Sequence, residues 1–283
     1  MNNQEKPRGP HSRANWSEMR SDTIFVSVKY SDVKNGASGD RGSAKSDKDA
    51  YIAAKQNCDH DAATVIVDKF FSDRVLDRLI DELSPDISAG KRICIIHPQP
   101  GFNRNGELDV NQIVTNALPY ACAELLAEEI GADITNDIMQ VARPGRTKLN
   151  RWQRFLYQPK FEGAVDADAV YVLVDDNSTM GGTLAMLRTH IVDNGGTIGA
   201  VCTLCSPDGV DCKFSIAKDT VNVINSRYGD EIDIFLLKEI GHETLQLTEN
   251  EGLSLARWDD GNPRIPVFER FRERIRATRS GSE

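Results

Sequence analysis

The sequence predicts an α/β protein built on a parallel sheet with helices on both faces, with a helical appendage on its N-terminal side. Three observations predict it. Four apolar runs, RICIIHP (92–98), NDIMQVAR (136–143), AVYVLVDD (169–176) and TIGAVCTLCS (197–206), have the length and β-branched content of buried strands. Segments with helical spacing separate them, so strand and helix alternate as in βαβ units. Glycines close those segments, Gly131 after the first and Gly195 with Gly196 after the next.

Taken in order, residues 1–22 are polar and read as a flexible terminus. TIFVSVKY (23–30) alternates apolar residues at Ile24, Val26 and Val28 and predicts a strand. SDVKNGASGDRGSAKSDKD (31–49) is rich in Ser, Gly, Asp and Lys and reads as a mobile loop. Residues 51–83 have helical spacing with a break near Asp59, and Gly90 separates them from the strand 92–98. A loop with two glycines (99–109) leads to a helix over 111–131, kinked or split by Pro119. RPGRTKLNRWQRFLYQPKFEG (143–163) reads as a long, basic, aromatic loop. Helices follow at 183–194 and about 216–227, with strands at 197–206 and about 232–237. The last segment, PVFERFRERIRATRS (266–280), predicts a basic helix with Val267, Phe268, Phe271 and Ile275 near one face. Its arginines read as the solvated face of a docked helix before they read as an anion-binding row. The expected division is a terminus (1–22), a strand, loop and helical appendage (23–89), an α/β core (90–240) and a C-terminal extension (241–283).

Composition narrows the function classes. The chain has 283 residues, 40% of them hydrophobic, and a formal net charge of −9. A chain this acidic does not coat nucleic acid. Its apolar runs fall far short of the roughly 20 residues that span a bilayer, and MNNQEKPRGPHSRANW lacks the apolar centre of a secretory signal. A cytoplasmic protein without a membrane partner is expected. Six cysteines are scattered in mostly apolar contexts, which suits reduced thiols. Cys202 and Cys205 have metal-like spacing with Cys212 nearby, but the segment reads as a strand and no second pair accompanies it, so buried thiols are favoured over zinc.

One stretch carries chemistry: VYVLVDDNSTMGGTLAMLR (170–188). In an open parallel sheet, ligands sit at the carboxyl ends of the strands, where Asp175 and Asp176 fall. Carboxylates there suit hydroxyl groups or a metal-bound ligand. Gly181 and Gly182 allow a tight turn and a close backbone approach. The next helix aims its free N–H groups and positive dipole end at the loop, and Ser178, Thr179 and Thr183 add hydroxyls. Such a nest suits a phosphate. A diol and a phosphate at this separation describe a ribose 5-phosphate. A plain strand end followed by an Asn-Ser-Thr helix cap is the structural alternative, and it does not account for the two acids and two glycines in this order.

This stretch resembles the phosphoribosyl pyrophosphate signature of type I phosphoribosyltransferases: four hydrophobic residues, two acidic ones, then a short loop with Thr-Gly-x-Thr. The resemblance covers about residues 90–210 and is nearest the ComF-like branch. It implies a phosphoribosyltransferase-like core that binds phosphoribosyl pyrophosphate with Mg2+ and moves the phosphoribosyl group to a base or amine, releasing pyrophosphate. It places Asp175 and Asp176 on the ribose hydroxyls, with Mg2+ held through those hydroxyls or water. Asn177, Ser178, Thr179, Met180, Gly181, Gly182 and Thr183 would take the 5-phosphate. The loop after the first core strand, with Gly101 and Arg104, would cradle the pyrophosphate. Within 143–163 a mobile loop would close over it, led by Arg151 and Arg154 with Lys148 next. The chain departs from the pattern at Met180, where the family usually has threonine.

That departure favours a non-catalytic ligand sensor, and the basic loop favours an enzyme. A hydrolase of a related nucleotide is a third reading. Trp152, Phe155 and Tyr157 among the basic residues also suit single-stranded nucleic acid, against which the acidic chain weighs. His97 ends a strand at the ligand edge and is the histidine with a functional position; His190 and His242 read as packing or surface residues. No Ser-His-Asp order, HExxH or P-loop is present. The acceptor is not readable, with residues 23–89 and 238–283 as candidates for its hood, and the family's habit implies a homodimer.

Overall fold

A computed structural model of the chain describes residues 12–16, 19–36, 41–99, 116–141, 150–259, 261 and 266–280. In order, they form β1 (Thr23–Lys29), α1 (Tyr30–Asn35), α2 (Arg41–Gln56), α3 (His60–Phe70), α4 (Asp73–Ser88), β2 (Ile93–Ile96), α5 (Leu118–Ile130), β3 (Asp133–Ile134) and β4 (Ile138–Val141). Then come α6 (Arg151–Leu156), β5 (Lys160–Gly163), β6 (Val170–Asn177), α7 (Gly182–Asp193), β7 (Thr197–Ser206), β8 (Cys212–Lys213), α8 (Lys218–Tyr228), α9 (Glu231–Ile240), a 3-10 turn (Thr244–Gln246), α10 (Glu249–Ala256) and α11 (Val267–Ser280).

Six strands make one sheet in the order β3-β2-β6-β7-β1-β8, parallel except for the antiparallel edge strand β8. Alternation along β6 separates two cores. Val170, Val172 and Val174 pack with α3, α4 and α5 through Ile66, Leu79, Leu83 and Leu126. Tyr171 and Leu173 pack with α7 through Leu184, Leu187 and Ile191. The expected α/β architecture, with helices on both faces of a mostly parallel sheet, is therefore present. β1, expected in the N-terminal appendage, lies inside this sheet and pairs with β7 from Ile24–Val201 to Lys29–Ser206.

Several expectations are corrected. The supposed mobile loop 31–49 contains α1 and the start of α2, because Val33, Asp47, Tyr51 and Ala54 are buried and Asp47 pairs with Lys69 at 2.6 Å; residues 37–40 lie outside the described set. Pro119 does not kink α5. It stands in the first turn, where a missing N–H leaves nothing unpaired. The strand expected at 136–143 does not join the main sheet; β4 pairs antiparallel with β5, Ile138 opposite Gly163 and Val141 opposite Lys160. Only glycine fits that crossing: Gly163 has φ 133°, and a Cβ there would stand 1.9 Å from the Asp137 carbonyl oxygen. In the stretch expected as a long loop (143–163), residues 151–156 form α6 and 160–163 form β5, with α6 opened by a capping box between Asn150 and Gln153.

The strand expected near 232–237 is helix α9. Ile232, Leu236 and Ile240 are buried at helical spacing, while Ile234, which completes an apparent strand alternation, is 73% exposed. The chain after Thr248, where no helix was expected, forms α10 behind a Thr248–Glu251 capping box. α11 docks as expected. Phe271 and Ile275 are buried in a third core with Trp152, Phe155, Ile224, Leu236 and Leu255, and Arg270 pairs with Asp259 at 2.6 Å. Phe271 contacts Trp152, Tyr228, Phe235 and Trp258 at ring separations of 5.3–5.9 Å. Phe271→Ala is expected to destabilise the fold by about 3–5 kcal/mol, measured by denaturant unfolding; a loss under about 1 kcal/mol would mean that α11 does not anchor this core.

Candidate functional site

The carboxyl ends of β2 and β6 open into a cavity of about 310 Å³. Asp175 through Leu184 line it without a break, joined by Tyr30, Tyr51, Lys55, His97, Asn116, Gln140 and Arg154. Alternation on β6 puts Asp175 on the α7 face of the sheet and Asp176 on the α2 and α5 face, and both reach the cavity because the strand ends there. Asp176 is buried and both its oxygens are engaged: Oδ2 by the Lys55 ammonium, and Oδ1 by the Asn116 amide at 3.1 Å. Asp175 Oδ1 accepts from the Asp176 N–H at 2.8 Å.

These contacts push the two acids apart. Burial alone raises a carboxyl pKa, but Lys55 overcomes it at Asp176, which is held below its ordinary value. Burial and the neighbouring Asp176 charge together push Asp175 well above its ordinary value. Asp176, drawing Lys55 against its own desolvation, raises the lysine. The pair is thus split: Asp175 holds its proton more tightly than an ordinary carboxyl, and Asp176 is a carboxylate paired with an ammonium. Direct chelation of Mg2+ by both aspartates does not fit this arrangement, because burial and its neighbour oppose ionisation of Asp175 and Asp176 has both oxygens taken. A Mg2+ ion arriving on ligand phosphates would keep phosphate and water ligands of its own.

The turn behind the pair is built for a close backbone approach. Gly181 has φ 75° at the N-cap of α7, and no side chain caps that end. The first N–H groups of α7 therefore face the cavity with no partner inside the helix. The Ser178 N–H does not join them, since it donates to the Cys205 carbonyl at 3.1 Å. The Ser178 hydroxyl is buried, lines the cavity and has no partner. Thr179 is exposed and Thr183 half-buried. The Met180 side chain is buried in the third core, and its carbonyl accepts the Thr248 hydroxyl. An apolar residue at that position is thus explained by packing.

Other expected site residues divide. Arg154 lines the cavity, and Arg151, on the same short helix, is exposed and does not. Trp152 and Phe155 are 6% and 1% exposed in the third core, which removes them as stacking platforms for nucleic acid bases. Gly101, Arg104 and Lys148 lie outside the described residues. Cys202 is buried in β7, and the Cys205 thiol donates to the Asp176 carbonyl at 3.1 Å.

Over 242 residues the chain is 30% identical to Protein TraN of Escherichia coli. A second relative, an uncharacterised protein of Haemophilus influenzae, is 28% identical over 180 residues. The matches cover 86% and 64% of this chain but only 49% and 34% of the two relatives, so the chain spans at most about half their length. No family model matches. Neither relative's name states a ligand or a reaction.

Lys55, Asn116, Tyr30, Tyr51 and Gln140 were not foreseen. Each comes from an element distant in sequence from the acidic pair, and no local motif marks it. Gln140 carried one faint signal, a polar residue in an otherwise apolar run ending beside the expected ligand edge.

Proposed function

We propose that the chain binds 5-phosphoribosyl pyrophosphate in this cavity and transfers the phosphoribosyl group to a base or amine nitrogen. The observation that carries this reading is the union, on one cavity, of a strand-end acidic pair with a glycine turn and a bare helix N-terminus. The α7 N–H groups and the Ser178 hydroxyl suit the 5-phosphate. Protonated Asp175 can donate a hydrogen bond to a ribose oxygen, and ionised Asp176 can accept one from a hydroxyl. Arg154 offers positive charge at the same cavity, suited to a diphosphate. In the reaction, the C1–oxygen bond to pyrophosphate breaks with its electron pair leaving on oxygen. The nitrogen lone pair forms the new C1–N bond, and the nitrogen loses a proton. Holding the ribose and the departing diphosphate in line is the protein's main contribution.

A second reading, a non-catalytic sensor of the same ligand, is favoured by two observations. Lys55 already occupies the carboxylate that a ribose hydroxyl needs, so ligand entry must displace or share it. Met180 gives its side chain to packing.

Calorimetric titration with 5-phosphoribosyl pyrophosphate should give binding to the wild type, weakened about tenfold or more in Asp175→Asn/Asp176→Asn, the loss of the charge-assisted contact that ionised Asp176 makes. Pyrophosphate release in the presence of candidate bases then separates the readings: release supports transfer, and tight binding without release supports sensing. Equal binding by wild type and variant, or none by either, would remove both.

A further inference from the structure

The groups that surround Asp176 are hydrogen-bond donors on both sides. The Lys55 ammonium meets Oδ2, and the Asn116 amide donates to Oδ1 at 3.1 Å. The Asn116 oxygen is itself taken by the Leu118 N–H at 3.3 Å, so the amide turns its nitrogen, not its oxygen, to the carboxylate. Asp175 gives Oδ1 to the Asp176 N–H at 2.8 Å. A Mg2+ or Mn2+ ion needs oxygen lone pairs on several sides. Here the lone pairs of Asp176 point at hydrogens, and one of the two donors carries a full positive charge.

That ammonium is also held in place. Lys55 lies in the last turn of α2. The carbonyl of its buried neighbour Ala54 accepts the Ala117 N–H at 2.9 Å, which ties the end of α2 to the start of α5. One turn earlier, the buried Tyr51 packs edge-on against Tyr30 with ring centres 6.5 Å apart. Two turns earlier, Asp47 pairs with Lys69 of α3. The Lys55 side chain, 26% exposed, therefore reaches Asp176 from a fixed base. A tethered ammonium has a far higher effective concentration at the carboxylate than an ion from solution. A divalent ion on the same carboxylate would stand within a few ångströms of a like charge in a poorly screened place.

We propose that Lys55 is the counter-ion of this site and stands where a metal would, so that the acidic pair holds no divalent cation and α2 supplies its positive charge. A Mg2+ ion carried in on ligand phosphates is a separate ion with ligands of its own. The Lys55 contact belongs to the chain itself, whatever ligand the cavity takes, and it is tested with metal alone.

Mn2+ is titrated into the full chain at neutral pH and followed by its paramagnetic resonance signal and by calorimetry. Wild type, Lys55→Met, Lys55→Gln and Lys55→Arg are compared, each with and without Asp176→Asn, after their melting curves are checked. The two neutral variants are expected to bind Mn2+ about tenfold or more tighter than the wild type. That gain should vanish when Asp176→Asn is added. Lys55→Arg keeps the charge and should behave as the wild type, an outcome that loss of packing alone would not give. Either neutral variant is sufficient if the other folds poorly. If neither folds, the wild type decides: Mn2+ affinity unaffected by Asp176→Asn supports the counter-ion. Wild-type affinity that drops tenfold with Asp176→Asn means that the pair already holds metal and overturns it. So does a neutral variant that gains nothing, a gain that persists without Asp176, or a Lys55→Arg protein that takes up Mn2+ as the neutral variants do.

Discussion

Asp175→Asn is expected to make the protein more stable at neutral pH while weakening its affinity for 5-phosphoribosyl pyrophosphate. The folded chain holds Asp175 well above its ordinary pKa, because burial and the adjacent Asp176 charge both oppose ionisation. A raised carboxyl pKa means that the folded state keeps a proton the unfolded chain has released. Stability therefore falls as pH rises from the ordinary value of 3.8 up through the folded value, and the loss is complete above it. Asparagine has the same shape and no proton to lose, so the variant escapes the loss. The gain should appear as a higher melting temperature at neutral pH that shrinks toward zero below pH 3.8.

Asp176 behaves in the opposite sense. Its folded pKa is lowered by Lys55, so it contributes stability above 3.8 that disappears as pH falls through its folded value. Asp176→Asn should destabilise, since it strips a partner from the Lys55 ammonium. Two adjacent aspartates with opposite effects on melting temperature, and a shared loss of ligand binding, are what a strained binding site predicts. If Asp175→Asn lowered the melting temperature at every pH, the buried like-charge pair would not be the source of the strain.

Legibility in the sequence followed the reach of local signals. β6, the glycine turn and α7 were readable because strand, turn and helix start lie within one stretch whose periodicity switches from two to three and a half. The docking face of α11 was readable for the same reason. Where a short amphipathic helix mimics strand alternation, as in α9, periodicity alone misled, and only burial distinguished Ile232 and Leu236 from Ile234. Polar composition hid the start of α2, whose inward-facing Asp47 is satisfied by a lysine on α3. The partners of the acidic pair were not readable at all. Lys55 is 121 residues from Asp176, and nothing in AAKQNC marks it as the ammonium that sets the charge of the site.

Glu251→Leu is expected to cost about 3–5 kcal/mol of stability, measured by denaturant unfolding. Glu251 is 1% exposed and meets Arg13, equally buried, through two contacts, one of them 2.8 Å from Nη2 to Oε1. It also accepts the Thr248 N–H at 3.0 Å and so caps α10. Removing the carboxylate leaves a guanidinium that cannot give up its charge buried opposite leucine. The pair stands directly behind the first residue of α7: a Cβ on Gly182 would come within 2.7 Å of Glu251 Oε1. Arg13→Met/Glu251→Leu should recover most of the loss and keep a deficit of about 1 kcal/mol for the missing cap. Arg13, against the pull of burial, holds Glu251 below its ordinary value of 4.5, so the wild type gains stability from it above that pH and loses it as pH falls through the folded value. The double variant should lack this acid-sensitive step. If instead the single change proved nearly neutral and the acid profile stayed as in the wild type, the N-terminal segment would not be seated behind α7 in solution, and the glycine turn would take its shape from β6 and α7 alone.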